Sequence, residues 1–392
     1  MKKSYQIMKI KKKREFLDYY NQHNVIPVVN INDMPLQNIY DQRDFFYYKL
    51  RINPFSLQNK DVIEFCPGTG INAHYLINKI KVKQITLVDN NPSSIKSLKK
   101  NLNNFKNFKI KDIDLKNFKT NKKYDFVILE NALPGFENPK KILTKLLNLC
   151  KPGGTIITTL TDELGIFSEK LRFVLAKKIL NGSNIYSYNN KLKKLTNFFR
   201  SHLSSLNTHT RLVDKWVIDN ILHEDWIKKN KYFNLADLYS CLSKRQSYII
   251  NSISPSLGLD YQWYKKTSVS KHNLNFFKNF HKNEINLLNF KEKFPSDNFL
   301  VNRKIRENIQ NILKVINKLD FQKNLDDKNK FKIINYNIKK IISNLKKIKK
   351  NSITSKALNE FIVFKNANFK LKYFKSFWGH CTNQISIYKI LK

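Results

Sequence analysis

Glycine is scarce in this chain, with nine residues among 392. No apolar run approaches the ~18–20 residues that a membrane span requires, and the longest candidates, such as Ile156 to Leu160, are strand-sized. The four cysteines (Cys66, Cys150, Cys241 and Cys381) stand far apart without a CxxC pair, which argues against a disulfide framework or a zinc site. The lysine-rich start, from Lys2 to Arg14, lacks the apolar stretch of a signal peptide, so a reducing cytoplasm is the expected location. Arginine is scarce as well. Nine arginines stand beside 63 lysines, so the net charge of +42 is almost wholly lysine. The Lys/Asn/Ile-heavy profile is that of A+T-rich coding sequence, and phosphate or base recognition usually relies on the planar fork of arginine. A solvated lysine surface is therefore preferred to a nucleic-acid partner, which the charge allows but does not favour. What the chain does have is core material: it is 41% hydrophobic and 13% aromatic, which excludes wholesale disorder. Its length exceeds the needs of one compact core.

The few glycines are clustered. Gly68, Gly70, Gly135, Gly153, Gly154 and Gly165 fall within one quarter of the chain, and glycine is needed where the backbone takes positive φ or approaches a ligand closely. In that quarter strand and helix patterns alternate. Asp61–Cys66, Gln84–Asp89, Phe108–Lys111, Tyr124–Glu130 and Thr155–Leu160 read as strands. Helices are expected from Ile71 to Ile80, from Asn91-Pro92 through Leu102, and from Asn138-Pro139 to the Lys151-Pro-Gly-Gly154 turn. The alternation predicts a doubly wound α/β core, a parallel sheet covered by helices on both faces.

Ligands of such sheets bind beyond the carboxyl ends of the strands. The groups there are Glu64 and Pro67-Gly68-Thr69-Gly70 after the first strand, Asp89-Asn90 after the second, Asp112-Ile113 after the third and Glu130-Asn131 after the fourth. Gly68–Ala73 formally fits a dinucleotide fingerprint, but a carboxylate at Glu64 suits a cationic amine better than a pyrophosphate. Glu64-Phe-Cys66-Pro-Gly68-Thr-Gly70, together with the Lys151–Gly154 turn, resembles the class I S-adenosylmethionine (SAM)-dependent methyltransferases. Their first motif has glycine where this chain has Cys66. The resemblance implies a Rossmann-like sheet of seven strands, the last antiparallel, with SAM as cofactor. It also implies that Glu64 holds the methionine amine, Gly68 and Gly70 line the methionine, Asp89 binds the ribose, Asp112 and Ile113 contact adenine, and Glu130 floors the methyl-donor pocket.

Ser247–Ser254 is the expected sixth strand and Asn383–Ile390 the seventh. Five segments follow: a basic helical extension (1–50), the SAM-binding core (51–165), a lid or acceptor region ending in strand six (166–265), a helical insertion (266–365) and a terminal strand (366–392). In the insertion Val301, Ile305, Ile309, Ile312 and Ile316 recur at helical spacing, as do Ile334, Ile338, Ile341, Leu345 and Ile348. The Asp214-Lys-Trp216-Val-Ile-Asp219-Asn220 stretch and the late Phe377-Trp378-Gly379 are similar to bacterial methyltransferases of surface-saccharide or secondary metabolism.

Glu130-Asn131-Ala132-Leu133-Pro134 is not the N-P-P-Y type that grips a planar amino group, no Pro-Cys pair serves a pyrimidine, and no metal-ligand spacing is evident. Hydroxyl or flexible amine acceptors of small molecules or saccharides are the class left. Candidate bases are His380, which is preferred, Glu130, Asp162 and His223; candidate acceptor contacts are Trp263 and Trp378. The rival readings are an RNA methyltransferase using the lysine-rich helices and a SAM-fold interaction protein without activity.

Overall fold

Seven strands form one sheet: β1 (Asp61–Phe65), β2 (Gln84–Asp89), β3 (Phe108–Asp112), β4 (Tyr124–Leu129), β5 (Cys150–Thr161), β6 (Tyr248–Ser254) and β7 (Thr382–Lys389). The computed structural model describes residues 19–20, 22–23, 30–180, 187–206, 212–224, 227, 232–254, 268–296, 298–319 and 327–391. The strand order is β3-β2-β1-β4-β5-β7-β6. β1 to β5 are parallel, and β7 is inserted antiparallel between β5 and β6. The expected doubly wound, Rossmann-like sheet with an antiparallel last strand is therefore present. β1, β2 and β4 are buried almost throughout, as strands covered on both faces must be. β3 lies at the sheet edge and exposes Lys109 and Lys111, charges that discourage pairing with another chain.

Helices α1 (Leu36–Lys49), α2 (Ile71–Tyr75), α3 (Pro92–Asn101) and α4 (Pro139–Leu149) accompany the first five strands. α2 runs on into a π-helical turn over Leu76–Ile80. Both expected N-caps form: the Asn91 side chain accepts from the Ser93 N–H and the Asn138 side chain from the Lys141 N–H, each at 3.0 Å. Proline follows each cap, where its missing N–H costs nothing.

One local expectation is corrected. Lys151–Gly154 is not a turn ahead of the strand, because β5 already begins at Cys150, paired with Tyr124. The glycines form an irregularity inside β5, where the register to β4 shifts between Tyr124 and Phe126 and Gly153 takes φ +76°. A Cβ on Gly154 would lie 2.6 Å from the Asp125 carbonyl oxygen, so this crossing admits only glycine.

Between β5 and β6 come α5 (Glu163–Leu180), α6 (Tyr188–Leu203), α7 (Val213–Val217, prolonged by a π turn to Leu222) and α8 (Leu235–Leu242). Between β6 and β7 come α9 (Val269–Asn283), α10 (Phe299–Ile316), α11 (Lys328–Ile348) and α12 (Ile353–Val363). The apolar stripes of α10 and α11 face each other and are buried at Ile305, Ile309, Ile312, Ile334, Ile338 and Ile341. They belong to the same apolar cluster as Ile156 and Leu160 of β5, so the insertion shares a core with the sheet. A second cluster lies under α1, α2 and α3. Among the described residues no helix is long and apolar enough to cross a membrane.

Candidate functional site

The loop after β1 turns three times through the left-handed region within five residues: Cys66 at φ 52°, Gly68 at 59° and Gly70 at 82°. The Cys66 N–H donates to the Val88 carbonyl (2.9 Å) and the Gly70 N–H to that of Pro67 (3.0 Å), which closes the turn. Cys66 therefore adopts the backbone shape of the glycine it replaces, at a cost of about 1–2 kcal/mol for an L-residue. At Gly70 a Cβ would also meet Leu98 Cδ2 at 2.7 Å, so α3 sits too close for a side chain. Thr69 is buried, and its carbonyl accepts from Asn101 Nδ2 at 2.8 Å.

Glu64, at the end of β1, is 4% exposed, and among the described residues its Oε2 atom has no hydrogen-bond partner. Burial, reinforced by the nearby Glu130 carboxylate and opposed by Arg43, pushes its pKa up to about 8. Glu130, on the neighbouring β4 end, is already engaged. Arg43 of α1 donates from Nη1 to its Oε2 (3.1 Å) and from Nη2 to its Oε1, and also from Nη2 to Asn72 Oδ1 (2.6 Å), which accepts from the Tyr47 hydroxyl as well (3.0 Å). One guanidinium therefore serves two carboxyl groups, and the pair comes one positive charge short only when Glu64 is ionised. Sequence reasoning missed Arg43, Asn72 and Tyr47. The available signal was the rarity of arginine, since Arg43 stands alone on α1 in a lysine-dominated chain.

Asp89, at the end of β2, is buried; its Oδ1 accepts from the Asn91 N–H (2.9 Å), and the Asn90 and Gly68 amides bear on it too. Burial raises its pKa to about 6 against the pull of those amides. Asp112 is its partner across the β2–β3 ladder and is exposed, while Ile113 packs on the core edge and donates its N–H to the Asp89 carbonyl (3.0 Å). Asn131 is exposed, takes φ 54° and donates its N–H to Thr159 Oγ1 (2.9 Å). Glu64, Pro67–Gly70, Asp89-Asn90, Asp112-Ile113 and Glu130-Asn131 thus gather along one edge of the sheet. They fit a nucleoside carrying a cationic amino-acid tail: a polar cradle around Asp89, an apolar contact at Ile113, and an unmatched buried carboxylate oxygen at Glu64.

The candidate bases diverge. Asp162 is buried and both its oxygens are taken, Oδ1 by the Leu164 N–H (2.8 Å) and Oδ2 by Arg306 of α10 (3.0 Å). Arg306 also binds Glu163 and Glu284, each at 2.8 Å, so this cluster fastens the helical insertion to the end of β5 and gives Asp162 a structural task. Glu130 is held by Arg43, and His223 is buried beside Tyr19 and Tyr20. His380 lies two residues before Thr382, the partner of Thr161, and so at the same sheet edge as the strand ends. Its ring is half-buried near Phe290; burial, with some help from Lys49, holds its pKa below the ordinary value and so favours the neutral imidazole.

Trp378 is corrected from acceptor contact to core residue. It is 4% exposed, the Arg172 guanidinium sits 3.4 Å from its ring centroid, and its Nε1 donates to Ser205 Oγ and the Lys375 carbonyl, both at 3.1 Å. Trp263, the other candidate, lies outside the described residues.

A family profile described as a methyltransferase domain matches residues 39–246, more than half of the chain. Among curated proteins, a malonyl-[acyl-carrier protein] O-methyltransferase of Ilyobacter polytropus is 27% identical over 97 residues. That match covers 25% of this chain and 38% of the relative, so the chain spans well under half the length of that protein. Among solved structures, the N-methyltransferase NodS of Bradyrhizobium japonicum, in complex with S-adenosylhomocysteine, aligns at 14% identity and a TM-score of 0.30, over 37% of this chain and 74% of that one. Coclaurine N-methyltransferase bound to N-methylheliamine and S-adenosylhomocysteine aligns at 16% identity and 0.28, over 31% and 35%. With the extent of the profile match, from α1 to the threshold of β6, the chain belongs to the methyltransferase-domain family.

Proposed function

We propose that this protein binds S-adenosylmethionine at the strand-end site and transfers its methyl group to a hydroxyl or amine of a small-molecule or saccharide-type acceptor. The observation that carries the reading is Glu64: a buried carboxylate with an oxygen unpartnered among the described residues, set beside a loop of left-handed residues, calls for a cationic ligand with a slender backbone. In this reading Glu64 receives the cofactor's amine, Gly68 and Gly70 allow its close approach, Asp89 accepts from the ribose, and Asp112 with Ile113 takes the adenine. The cofactor, when bound, supplies an activated methyl group, so the protein's task is chiefly alignment.

Of the candidate bases, His380 is favoured, since burial favours its neutral imidazole, which can accept a proton, and it forms no ion pair among the described residues. Glu130 and Asp162 act instead as anchors for Arg43 and Arg306. Residues 51–165 form the cofactor-binding part, and the segments 166–265 and 266–365 shape the acceptor side. The test offers the protein and methyl-labelled SAM to fractionated glycan, small-molecule, lipid, protein and RNA pools. Label is expected in the glycan or small-molecule pool. Label entering RNA alone would replace this acceptor class with the nucleic-acid one.

A further inference from the structure

α11 carries seven lysines and no acidic residue over Lys328–Ile348. Its apolar side is buried against α10, so the lysines stand on the opposite side together with exposed Ile333 and Tyr336. Where α10 and α11 part, they leave an open groove of about 700 Å³. Lys314, Lys332 and Lys340 reach it, Tyr336 supplies a flat face that is 59% exposed, and among the described residues no carboxylate lines it.

The asparagines of the groove add direction. Asn308 and Asn337 each donate Nδ2 to the carbonyl of the preceding helical turn, at 2.6 and 2.9 Å. That bond orients each amide; Oδ1 of the part-exposed Asn308 is left to accept from a ligand hydroxyl, whereas Asn337 is 6% exposed. Asn311 adds an exposed amide beside them. Fixed amides, one aromatic face and scattered point charges match a sugar chain with acidic groups: hydroxyls to amides, a pyranose face to Tyr336, anionic substituents to lysine. Single-stranded nucleic acid would call for successive aromatic platforms and for arginine, and among the described residues the groove has one tyrosine and no arginine. A membrane surface would call for an unburied apolar face, which α11 spends on the protein core.

We propose that the α10–α11 groove is a docking site for an anionic oligosaccharide. The choice of ligand rests on the acceptor class proposed above, narrowed to its acidic members. The groove is tied to the strand ends by α10 itself, whose Arg306 grips Asp162 on one side while Asn308, Asn311 and Lys314 face the groove.

Calorimetric titration of the full chain with a size-defined oligogalacturonate tests this, with neutral maltohexaose and a uridylate dodecamer as comparison ligands. The oligogalacturonate is expected to bind at least tenfold tighter than either. Tyr336→Ala and the double variant Lys332→Gln/Lys340→Gln are each expected to weaken it at least tenfold with unchanged melting temperature. Absence of oligogalacturonate binding, equal binding by the variants, or tighter binding of the dodecamer would overturn the proposal. S-adenosylhomocysteine binding, measured on the same samples, separates failure of the groove from failure of the cofactor reading.

Discussion

At the scale of single residues, the site turns on Glu64 and Cys66. The folded-state pKa of Glu64 lies above its ordinary value of 4.5, at about 8, so the folded protein retains a proton that the unfolded chain releases. Its contribution to stability is therefore largest at low pH and is lost as pH rises from about 4.5 to 8. A cationic ligand favours the ionised form, so S-adenosylhomocysteine affinity should climb from pH 6 to pH 8, by at most about tenfold per unit. Glu64→Gln should flatten that profile, weaken binding at pH 8 and raise the melting temperature of the ligand-free protein there. Calorimetry across this range checks all three, and an unchanged profile in the variant would assign the proton to another group. Cys66 holds a left-handed φ without needing its thiol for the turn, whose hydrogen bond is made by the backbone. Cys66→Gly should thus stabilise the protein by about 0.5–1 kcal/mol in denaturant melts. Loss of stability would mean that the packing of the thiol outweighs the backbone strain. The placement of Glu64, Gly68, Gly70 and Asp89 at the strand ends was legible in the sequence because local spacing carries it. Arg43 was not, since its role depends on α1 crossing the end of β4, 87 residues further on.

At the scale of elements, strand periodicity and Asn-Pro caps are local signals, and the seven strands emerge close to where their patterns place them. Cys150 and the two glycines after Pro152 escaped because a kinked strand and a turn ask for the same residues; only the pairing of Cys150 with Tyr124 separates them. Trp378 escaped for a related reason. An aromatic beside a strand suits either a ligand or a core, and burial against Arg172 decides for the core. Arg172 itself is fully buried and donates to the Ser168, Phe374, Lys375 and Phe377 carbonyls, clamping α5 to the segment that leads into β7. The same two elements touch through glycine. A Cβ on Gly165 would lie 1.9 Å from the His380 carbonyl oxygen and one on Gly379 2.2 Å from that of Gly165. Gly165→Ala must push α5 off the chain beside His380, at a cost of about 3 kcal/mol or more. Denaturant titration should show that loss, whereas a near-neutral result would mean that the two backbones separate easily.

For the whole molecule, the surplus length is joined to the sheet by a shared apolar core and by the rare arginines. Arg306 gathers the adjacent Asp162 and Glu163 and the distant Glu284, from two places in the sequence, around one guanidinium. Arg306→Met would leave three carboxylates together in a largely buried site, for an expected loss of about 3–5 kcal/mol. Proteolysis should then attack α9 to α12 first, and an unaltered digestion pattern would show that apolar packing alone holds the insertion. Such long-range joins have no sequence periodicity, which is why the order of elements was legible and their fastening was not. The lysine excess is spread over solvated helix faces, that of α11 among them, while the proposed function rests on the strand-end site. The most direct measurement is the binding of S-adenosylhomocysteine to the purified chain by calorimetry, repeated with Asp89→Ala and Gly68→Val. The account predicts one site per chain in the wild-type protein and at least a tenfold loss in both variants; no binding to the wild type, or equal binding by all three, would contradict it.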